Sequence, residues 1–379
     1  MVNLAAGFVC SFIVVLLIVR SSKLHGVFSL DHDLGGIQKN HAYAVPRVGG
    51  MGIACALVAV VLCEPLWMKA PFRESVLLLV CAIPAFASGV IEDLTKRVSP
   101  RVRLICTLLS ALCGALLIGA VVNRVDVPVL DHWMTFAPLA IGVTMLGVAG
   151  FSNAVNIIDG FNGLAAGVAM AIVASIAYVA YSVGDELVLS MSLTMLGALA
   201  GFLFWNFPSP SVFLGDGGAY LTGFIIAELL ILLIARHPNV SAWYACVVAI
   251  YPTFETLFSI YRRRVCGNRD VGQPDGLHLH TLVFRRIVGK GRNATPRQRT
   301  RRNSRTSTYL WALNLIAVLP ATLFWDNPAV LAATIVVFVT AYVRMYVAIV
   351  KFRTPRWLAF SASTPVITAS GERGIIERR

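Results

Sequence analysis

The chain has 379 residues, of which 57% are hydrophobic and only 13% are charged. A soluble domain of this length would carry about a quarter charged residues, so the composition excludes an ordinary soluble protein. The net charge of +13 is compatible with nucleic acid binding. The basic residues lie between long apolar runs, however, and this is where membrane proteins carry them. We therefore expect membrane lipids, and no nucleic acid, among the partners.

Eleven apolar runs recur along the chain. An apolar helix of about 20 residues matches the hydrocarbon thickness of a bilayer. The runs predict an all-α, polytopic integral membrane bundle of about 11 transmembrane helices. They are residues 4–19, 48–63, 75–91, 104–122, 135–151, 163–181, 187–205, 218–235, 242–260, 308–325 and 329–350.

The basic residues are distributed unequally between the two sides of this bundle. With an external N-terminus, 27 of the 32 Lys and Arg residues fall on the cytoplasmic side and four on the other. Such asymmetry is the positive-inside rule. We expect a multi-pass protein of the bacterial inner (plasma) membrane, with its C-terminus in the cytoplasm.

The apolar runs make residues 1–353 one transmembrane domain, followed by a loosely ordered cytoplasmic tail at 354–379. The longest cytoplasmic loop is 261–307. Its second half, 289–307, is basic and poor in large apolar residues, which predicts a mobile segment near anionic lipid headgroups.

Five polar clusters interrupt the apolar sequence, and the predicted topology places all of them at the cytoplasmic membrane boundary. We therefore expect one composite active site at that face. The clusters are "KNHAYAVPRVGG" at 39–50, "GVIEDLTKRVSPRVRL" at 89–104, "NAVNIIDGFNGLAAG" at 153–167, "FPSPSVFLGDGGAY" at 207–220 and "PDGLHLHTLVFRR" at 274–286.

The clusters contain the residue types that bind phosphate and hard cations. The carboxylates of Glu92, Asp93, Asp159 and Asp216 lie at span ends, where they can hold a divalent cation. Histidine, lysine and arginine side chains suit phosphate oxygens; they are His278, His280, Arg285, Arg286, Lys39 and Arg47. Each cluster alone could also be a solvated turn, a helix-packing motif or a pair of loop histidines. Their common face favours phosphoryl transfer.

In order and spacing, these motifs resemble the polyprenyl-phosphate N-acetylhexosamine-1-phosphate transferases, the WecA/MraY superfamily or glycosyltransferase family 4. The resemblance runs from about residue 30 to residue 350. The short element His278-Leu279-His280 fits the WecA-like branch better than the MraY branch, which has three adjacent histidines.

The resemblance implies a magnesium-dependent enzyme, with Mn²⁺ as an alternative cofactor. It would transfer a sugar 1-phosphate from a UDP-N-acetylhexosamine to undecaprenyl phosphate, release UMP, and so start a surface glycan such as an O-antigen or capsule. The oligomeric state is left open, with a homodimer among the alternatives.

The resemblance also implies roles for individual residues. The metal ligands would be Asp216 and Asn156. The catalytic group would comprise Asp93, Glu92, Asp159, His278 and His280. The substrate-binding group would comprise Asn162, Phe213, Asn153, Lys39, Arg47 and Arg285.

The sequence departs from the family pattern at two places. Glu92 stands where the family has the first of two aspartates, and Thr281 follows the two histidines. Two alternatives remain open. One is the phospho-MurNAc-pentapeptide transferase of peptidoglycan synthesis, and the other is a secondary transporter of an anionic solute.

Overall fold

A computed structural model of the protein describes residues 1–22, 45–67, 71–266, 276–288 and 295–351. Within these ranges the chain forms fourteen α-helices, numbered here in chain order. They are α1 Val2–Arg20, α2 Gly50–Cys63, α3 Phe72–Thr95, α4 Pro100–Leu117, α5 Pro128–Met134, α6 Ala137–Ile158, α7 Leu164–Val183, α8 Glu186–Asn206, α9 Gly215–Arg236, α10 Ala242–Val248, α11 Ile250–Tyr261, α12 Leu279–Val283, α13 Pro296–Leu323 and α14 Pro328–Val350.

Among the described residues, nine helices are long and apolar enough to cross a bilayer: α1, α3, α4, α6, α7, α8, α9, α13 and α14. Helices α10 and α11 meet at a bend of 72° and together would make a tenth span. Helix α2 is apolar but only 14 residues long, shorter than the roughly 20 residues of a straight span. All eleven apolar runs contain helix, and the multi-pass helical architecture is confirmed.

Helix α9 lies at the centre of the bundle. All but three of its 22 residues are buried, and it packs against α2, α3, α4, α6, α7 and α8. Helix α9 is therefore surrounded by other helices rather than by lipid along nearly its whole length. The N-terminus of α9, which carries the "GDGG" motif, is therefore enclosed by the ends of its neighbours.

Glycines allow this enclosure by letting the backbones approach closely. A Cβ at Gly89 of α3 would lie 2.5 Å from the backbone nitrogen of Gly217 in α9. A Cβ at Gly50 of α2 would meet the backbone of Gly218. Because no side chain fits in either contact, the ends of α2 and α3 lie directly against the first turn of α9.

The basic segment at 296–307 is helical, so the expectation of a mobile loop through residue 307 is wrong for the described part. Helix α13 begins with a capping box. The Thr295 hydroxyl accepts from the backbone N–H of Gln298 at 3.3 Å, and the Gln298 side chain accepts from the N–H of Thr295 at 3.0 Å. Its small polar residues Asn303 and Ser304 are buried. Tertiary contacts therefore order a stretch whose composition alone predicts mobility.

Candidate active site

Asp93 lies in the last turn of α3, and its carboxylate caps the N-terminus of α9. Oδ1 accepts from the backbone N–H of Asp216, and Oδ2 accepts from that of Gly217, both at 2.9 Å. The first N–H groups of a helix have no partner within it and carry partial positive charge, so a carboxylate there is stabilised. The side chain is only 2% exposed. Asp93 thus fixes the helix that presents Asp216.

Arg47 reaches the same place through backbone pairing. The N–H of Phe213 donates to the carbonyl of Pro46 at 2.8 Å, and the N–H of Gly49 donates to the carbonyl of Phe213 at 2.9 Å. This pairing sets the Arg47 guanidinium 3.2 Å from Oδ1 of Asp216 and 3.7 Å from Oδ1 of Asp93. The "PRVGG" and "FLGDGG" motifs therefore meet.

Arg103, in the first turn of α4, is a site residue that the sequence interpretation missed. Its guanidinium is ion-paired with Oδ2 of Asp216 and lies 5.9 Å from the centre of the Tyr220 ring. The signal was present in "SPRVRL" within the second polar cluster, but the interpretation of that cluster rested on its acids. Together Arg47 and Arg103 neutralise both oxygens of Asp216.

Gly215 explains the first glycine of "GDGG". Its φ angle of +76° lies in the left-handed region that favours glycine. A Cβ at this position would meet the Arg47 carbonyl oxygen and would lie 2.5 Å from Oδ2 of Asp93. Only glycine lets the two chain segments converge here.

The Asn-rich motif covers the last turns of α6 and the turn that follows it. The Tyr220 hydroxyl donates to Oδ1 of Asn153 at 3.2 Å, and it also contacts the Asn156 side chain. Tyr220 lies one turn beyond Asp216 on α9, so these amides face the same side of α9 as the carboxylate.

Asp159 immediately follows the end of α6 and is partly buried. Burial raises the pKa of its carboxyl to about 7; Arg47 opposes this shift, and the nearby Asp93 adds to it. The charges of Arg47 and Asp93 therefore both act on the Asp159 carboxyl. An acid of this kind exchanges its proton near neutral pH.

Asn162 is buried in a network of protein hydrogen bonds. Its backbone N–H donates to Oδ1 of Asn303 at 2.8 Å, and the Ser307 hydroxyl donates to its carbonyl at 2.7 Å. Its side-chain amide donates to Ser304 Oγ at 3.2 Å and to the Pro208 carbonyl at 3.3 Å. These contacts give Asn162 a structural role in the loop. A substrate contact for it stays a prediction.

The two histidines lie on a short segment beside this loop. Their rings are nearly parallel, with centres 5.1 Å apart. His280 packs edge-on against Phe161 at 5.4 Å, and a Cβ at Gly160 would lie 3.4 Å from its Nε2. His278 is hydrogen-bonded through Nδ1 to Glu255 of α11 at 3.0 Å. The histidine motif therefore meets the turn that carries Asp159.

The remaining predicted site residues are placed differently. Glu92 turns away from Asp93, and its Oε2 accepts from the backbone N–H of Val98 at 2.7 Å, which closes the α3–α4 turn. Arg285 is exposed. Lys39 lies outside the described residues. The structure gives Glu92 a turn-stabilising contact, and a catalytic role for it stays a prediction.

The side chains of the site can be compared with the ligands that a magnesium ion needs. Within the part of the chain that the structure describes, no three His, Cys, Asp or Glu side chains form a ready metal cluster. Magnesium usually takes only one or two protein carboxylates and completes its shell with water and substrate phosphates. Asp216 fits that requirement, and Asn156 contacts Tyr220 one turn further along α9. Arg47 and Arg103 compete for the same carboxylate.

Comparison with known proteins agrees with this geometry. The model of glycosyl transferase family 4 matches residues 75–234. The chain is 29% identical over 281 residues to a probable undecaprenyl-phosphate N-acetylglucosaminyl 1-phosphate transferase of Bacillus subtilis, which covers 74% of this chain and 77% of the relative. Over the matched residues the chain is similar to glycosyl transferase family 4. The part matched to this family includes Asp93, Asp159 and Asp216.

The chain is also similar to two other transferases. One is the undecaprenyl-phosphate alpha-N-acetylglucosaminyl 1-phosphate transferase of Thermotoga maritima, 26% identical over 67% of this chain and 72% of the relative. The other is the phospho-N-acetylmuramoyl-pentapeptide-transferase of Lactobacillus gasseri, 25% identical over 62% of this chain and 75% of the relative.

Proposed function

We propose that this protein transfers a sugar 1-phosphate from a UDP-N-acetylhexosamine to undecaprenyl phosphate and releases UMP. The observation that carries the proposal is the convergence of Asp93, Asp159 and Asp216 with Arg47 and Arg103 at one end of the bundle. Acids and guanidinium groups together suit a phosphate-transfer site. The names of the relatives from Bacillus and Thermotoga support an N-acetylglucosaminyl 1-phosphate group and an undecaprenyl phosphate acceptor.

In the proposed reaction, an oxygen of the acceptor phosphate attacks the β-phosphorus of the donor. A new P–O bond forms as the bond to the oxygen shared with the α-phosphate breaks, and UMP leaves with that electron pair. Arg47 and Arg103, which are both ion-paired with Asp216, would bind the donor phosphates. Asp159, with its pKa raised to about 7 by burial, is suited to take a proton from the acceptor phosphate.

Asp216 and Asn156 would hold the magnesium ion. When bound, magnesium supplies positive charge that stabilises the leaving UMP. Asp93 supports the same site indirectly, because both of its oxygens accept hydrogen bonds from the backbone of α9. This arrangement favours a positioning role for Asp93 over direct contact with the acceptor phosphate.

The proposed orientation places the site at the cytoplasmic face of the bacterial inner membrane. The distribution of Lys and Arg supports it, and a cytoplasmic site would meet both the water-soluble donor and the lipid phosphate. A C-terminal fusion to a reporter that is active only in the cytoplasm tests this orientation. An inactive but intact fusion would contradict it.

The function is tested with purified protein in detergent micelles that contain undecaprenyl phosphate and Mg²⁺. UMP release is measured with UDP-GlcNAc, UDP-GalNAc and UDP-MurNAc-pentapeptide in parallel. We expect release with an N-acetylhexosamine donor and its loss in Asp216→Asn. Release only with the MurNAc-pentapeptide donor would support the peptidoglycan alternative. Solute uptake into vesicles without a lipid product would support a transporter.

A further inference from the structure

Glu255 of α11 is a buried carboxylate whose hydrogen bonds converge on the histidine segment. The residue is 1% exposed. Its Oε1 accepts from Nδ1 of His278 and from the backbone N–H of Leu279, both at 3.0 Å. Its Oε2 accepts from the hydroxyl of Tyr342 in α14 at 2.7 Å. Three donors from two other parts of the fold therefore hold one carboxylate.

This arrangement determines which nitrogen of His278 carries the hydrogen. A carboxylate removed from water is destabilised unless donors compensate it, so Nδ1 must act as a donor to Glu255. The partner of one ring nitrogen sets the tautomer and the direction of the other. Because the two nitrogens diverge from the ring, Nε2 is directed away from α11.

The segment is also anchored beyond the histidines. Nη1 of Arg286 donates to the carbonyls of Ile349 and Val350, both at 2.8 Å, in the last turn of α14. The end of a helix presents unpaired carbonyls and partial negative charge, which a guanidinium satisfies. Helix α14 therefore holds the segment at Arg286 and, through Tyr342 and Glu255, at His278.

We propose that Glu255 is a positioning residue for the proposed sugar 1-phosphate transfer. With Tyr342 it fixes the tautomer and the direction of His278, so that Nε2 meets a phosphate group of the substrates. The ring of His280 is nearly parallel to that of His278 and lies against Gly160, in the turn that carries Asp159. The inference rests on the proposed function. The donor and the lipid acceptor both carry a phosphate of this chemistry, and the titrations below distinguish them.

The activity test compares Glu255→Gln and Tyr342→Phe with the matched control Glu228→Gln. Glu228 of α9 is equally buried, and it contacts Gly114 rather than a histidine. Loss of a residue that orients a functional side chain costs about 10–100-fold. We expect Glu255→Gln to lower kcat/KM within that range, Tyr342→Phe to lower it less, and Glu228→Gln to leave it unchanged.

Separate titrations of the UDP-sugar and of undecaprenyl phosphate identify the phosphate that is bound. A rise in KM for one substrate assigns the contact to that substrate. A double-mutant cycle then separates positioning from folding: in the His278→Gln background, Glu255→Gln should cause no further loss. Fully additive losses, or a Glu255→Gln loss no larger than that of Glu228→Gln, would overturn the inference.

A second measurement does not depend on activity. In protein labelled with ¹⁵N-histidine, the His278 signal, assigned by its absence in His278→Gln, should report hydrogen on Nδ1, and Glu255→Gln should change it. An unchanged signal would overturn the inference even in an active enzyme. If the wild type releases no UMP from any donor, the proposed function fails, and this spectrum still decides whether Glu255 orients His278.

Discussion

The guanidinium of Arg103, in the first turn of α4, is ion-paired with Oδ2 of Asp216, in the first turn of α9. The other oxygen of Asp216 lies 3.2 Å from Nη2 of Arg47. A divalent cation that binds Asp216 must therefore compete with two guanidinium groups. If a cation took their place on Asp216, both guanidinium groups would become available to phosphate oxygens.

The first prediction concerns Arg103→Gln. Removing this guanidinium leaves Asp216 with a single cationic partner, so the concentration of Mg²⁺ that gives half-maximal rate should fall. The donor phosphates lose a charged partner at the same time, and kcat/KM for the UDP-sugar should fall by about tenfold or more. Both effects are read from UMP release as Mg²⁺ and donor are varied separately.

Arg101→Gln is the matched control, because Arg101 lies two residues away in the same turn and is exposed. Its kinetics should equal those of the wild type. Arg103→Lys should recover only part of the rate, since an ammonium group cannot make the paired contacts of a guanidinium. Equal behaviour of the Arg101 and Arg103 variants would show that the ion pair has no part in the reaction.

The second prediction concerns Gly215→Ala. The new methyl group would clash with the Arg47 carbonyl and the Asp93 carboxylate, and the φ angle of +76° is strained for alanine. We expect a loss of about 1–3 kcal/mol in the free energy of unfolding, together with loss of UMP release. Thermal unfolding in detergent measures the first effect.

Gly142→Ala serves as the control for this prediction. Gly142 lies within α6, and a Cβ there would meet nothing within 4 Å. Alanine in a helix interior is more stable than glycine by about 0.5–1 kcal/mol, so this variant should melt at or above the wild-type temperature. If Gly215→Ala behaves in the same way, the close approach of Arg47 to α9 is not required.

Much of this fold could be predicted from the sequence, because its signals are local. Every apolar run contains helix, since hydropathy reports the burial of a whole segment in lipid. The meeting of the polar clusters also followed from local evidence, because charge asymmetry placed them all at one face. Arg47, Asp93 and Asp216 are in contact as that argument requires.

The pairs that define the site's details were not predictable in this way. Glu255 and His278, or Arg103 and Asp216, are distant in sequence and meet only through packing of separate helices. The helical start of α13, by contrast, could have been predicted from the sequence. Thr295 and Gln298 form the spacing of a capping box, yet the basic composition of the following residues was given more weight than this local signal.

The third prediction concerns pH and Asp159→Asn. Burial raises the pKa of Asp159 to about 7, so the folded protein binds this proton more tightly than the unfolded chain, whose carboxyl titrates near pH 4. Its contribution to stability is complete below the unfolded value and is lost as pH rises through the folded value. Asparagine does not titrate. The wild-type melting temperature should therefore fall relative to that of Asp159→Asn between about pH 5 and about pH 8.

Metal-free buffer is needed for this comparison, so that proton binding alone differs between the two proteins. The melting temperature of the wild type minus that of Asp159→Asn should be largest at the acidic end of the pH range. A constant difference across the range would mean that Asp159 titrates alike in the folded and unfolded chain. That result would also remove Asp159 as the proposed proton acceptor.

The last prediction rests on Glu228, which lies in the membrane-spanning part of α9. It is fully buried, and neither carboxyl oxygen has a hydrogen-bond partner among the described residues. Its carboxyl instead lies against Gly114 of α4, where a Cβ would be 2.7 Å from Oε1. A polar group buried without a partner costs about 1–3 kcal/mol in proteins, so Glu228 should reduce stability.

We therefore expect Glu228→Met, which has a similar volume and no group that needs a strong hydrogen bond, to raise the melting temperature in detergent. Gly114→Ala should lower it in the wild type, because the methyl group meets the carboxyl, and should lower it less when combined with Glu228→Ala, which vacates the space. Such non-additivity is the signature of direct contact. A Glu228→Met variant that melts lower, or that loses UMP release while folded, would show that the buried carboxyl has a function that its surroundings in the structure do not explain.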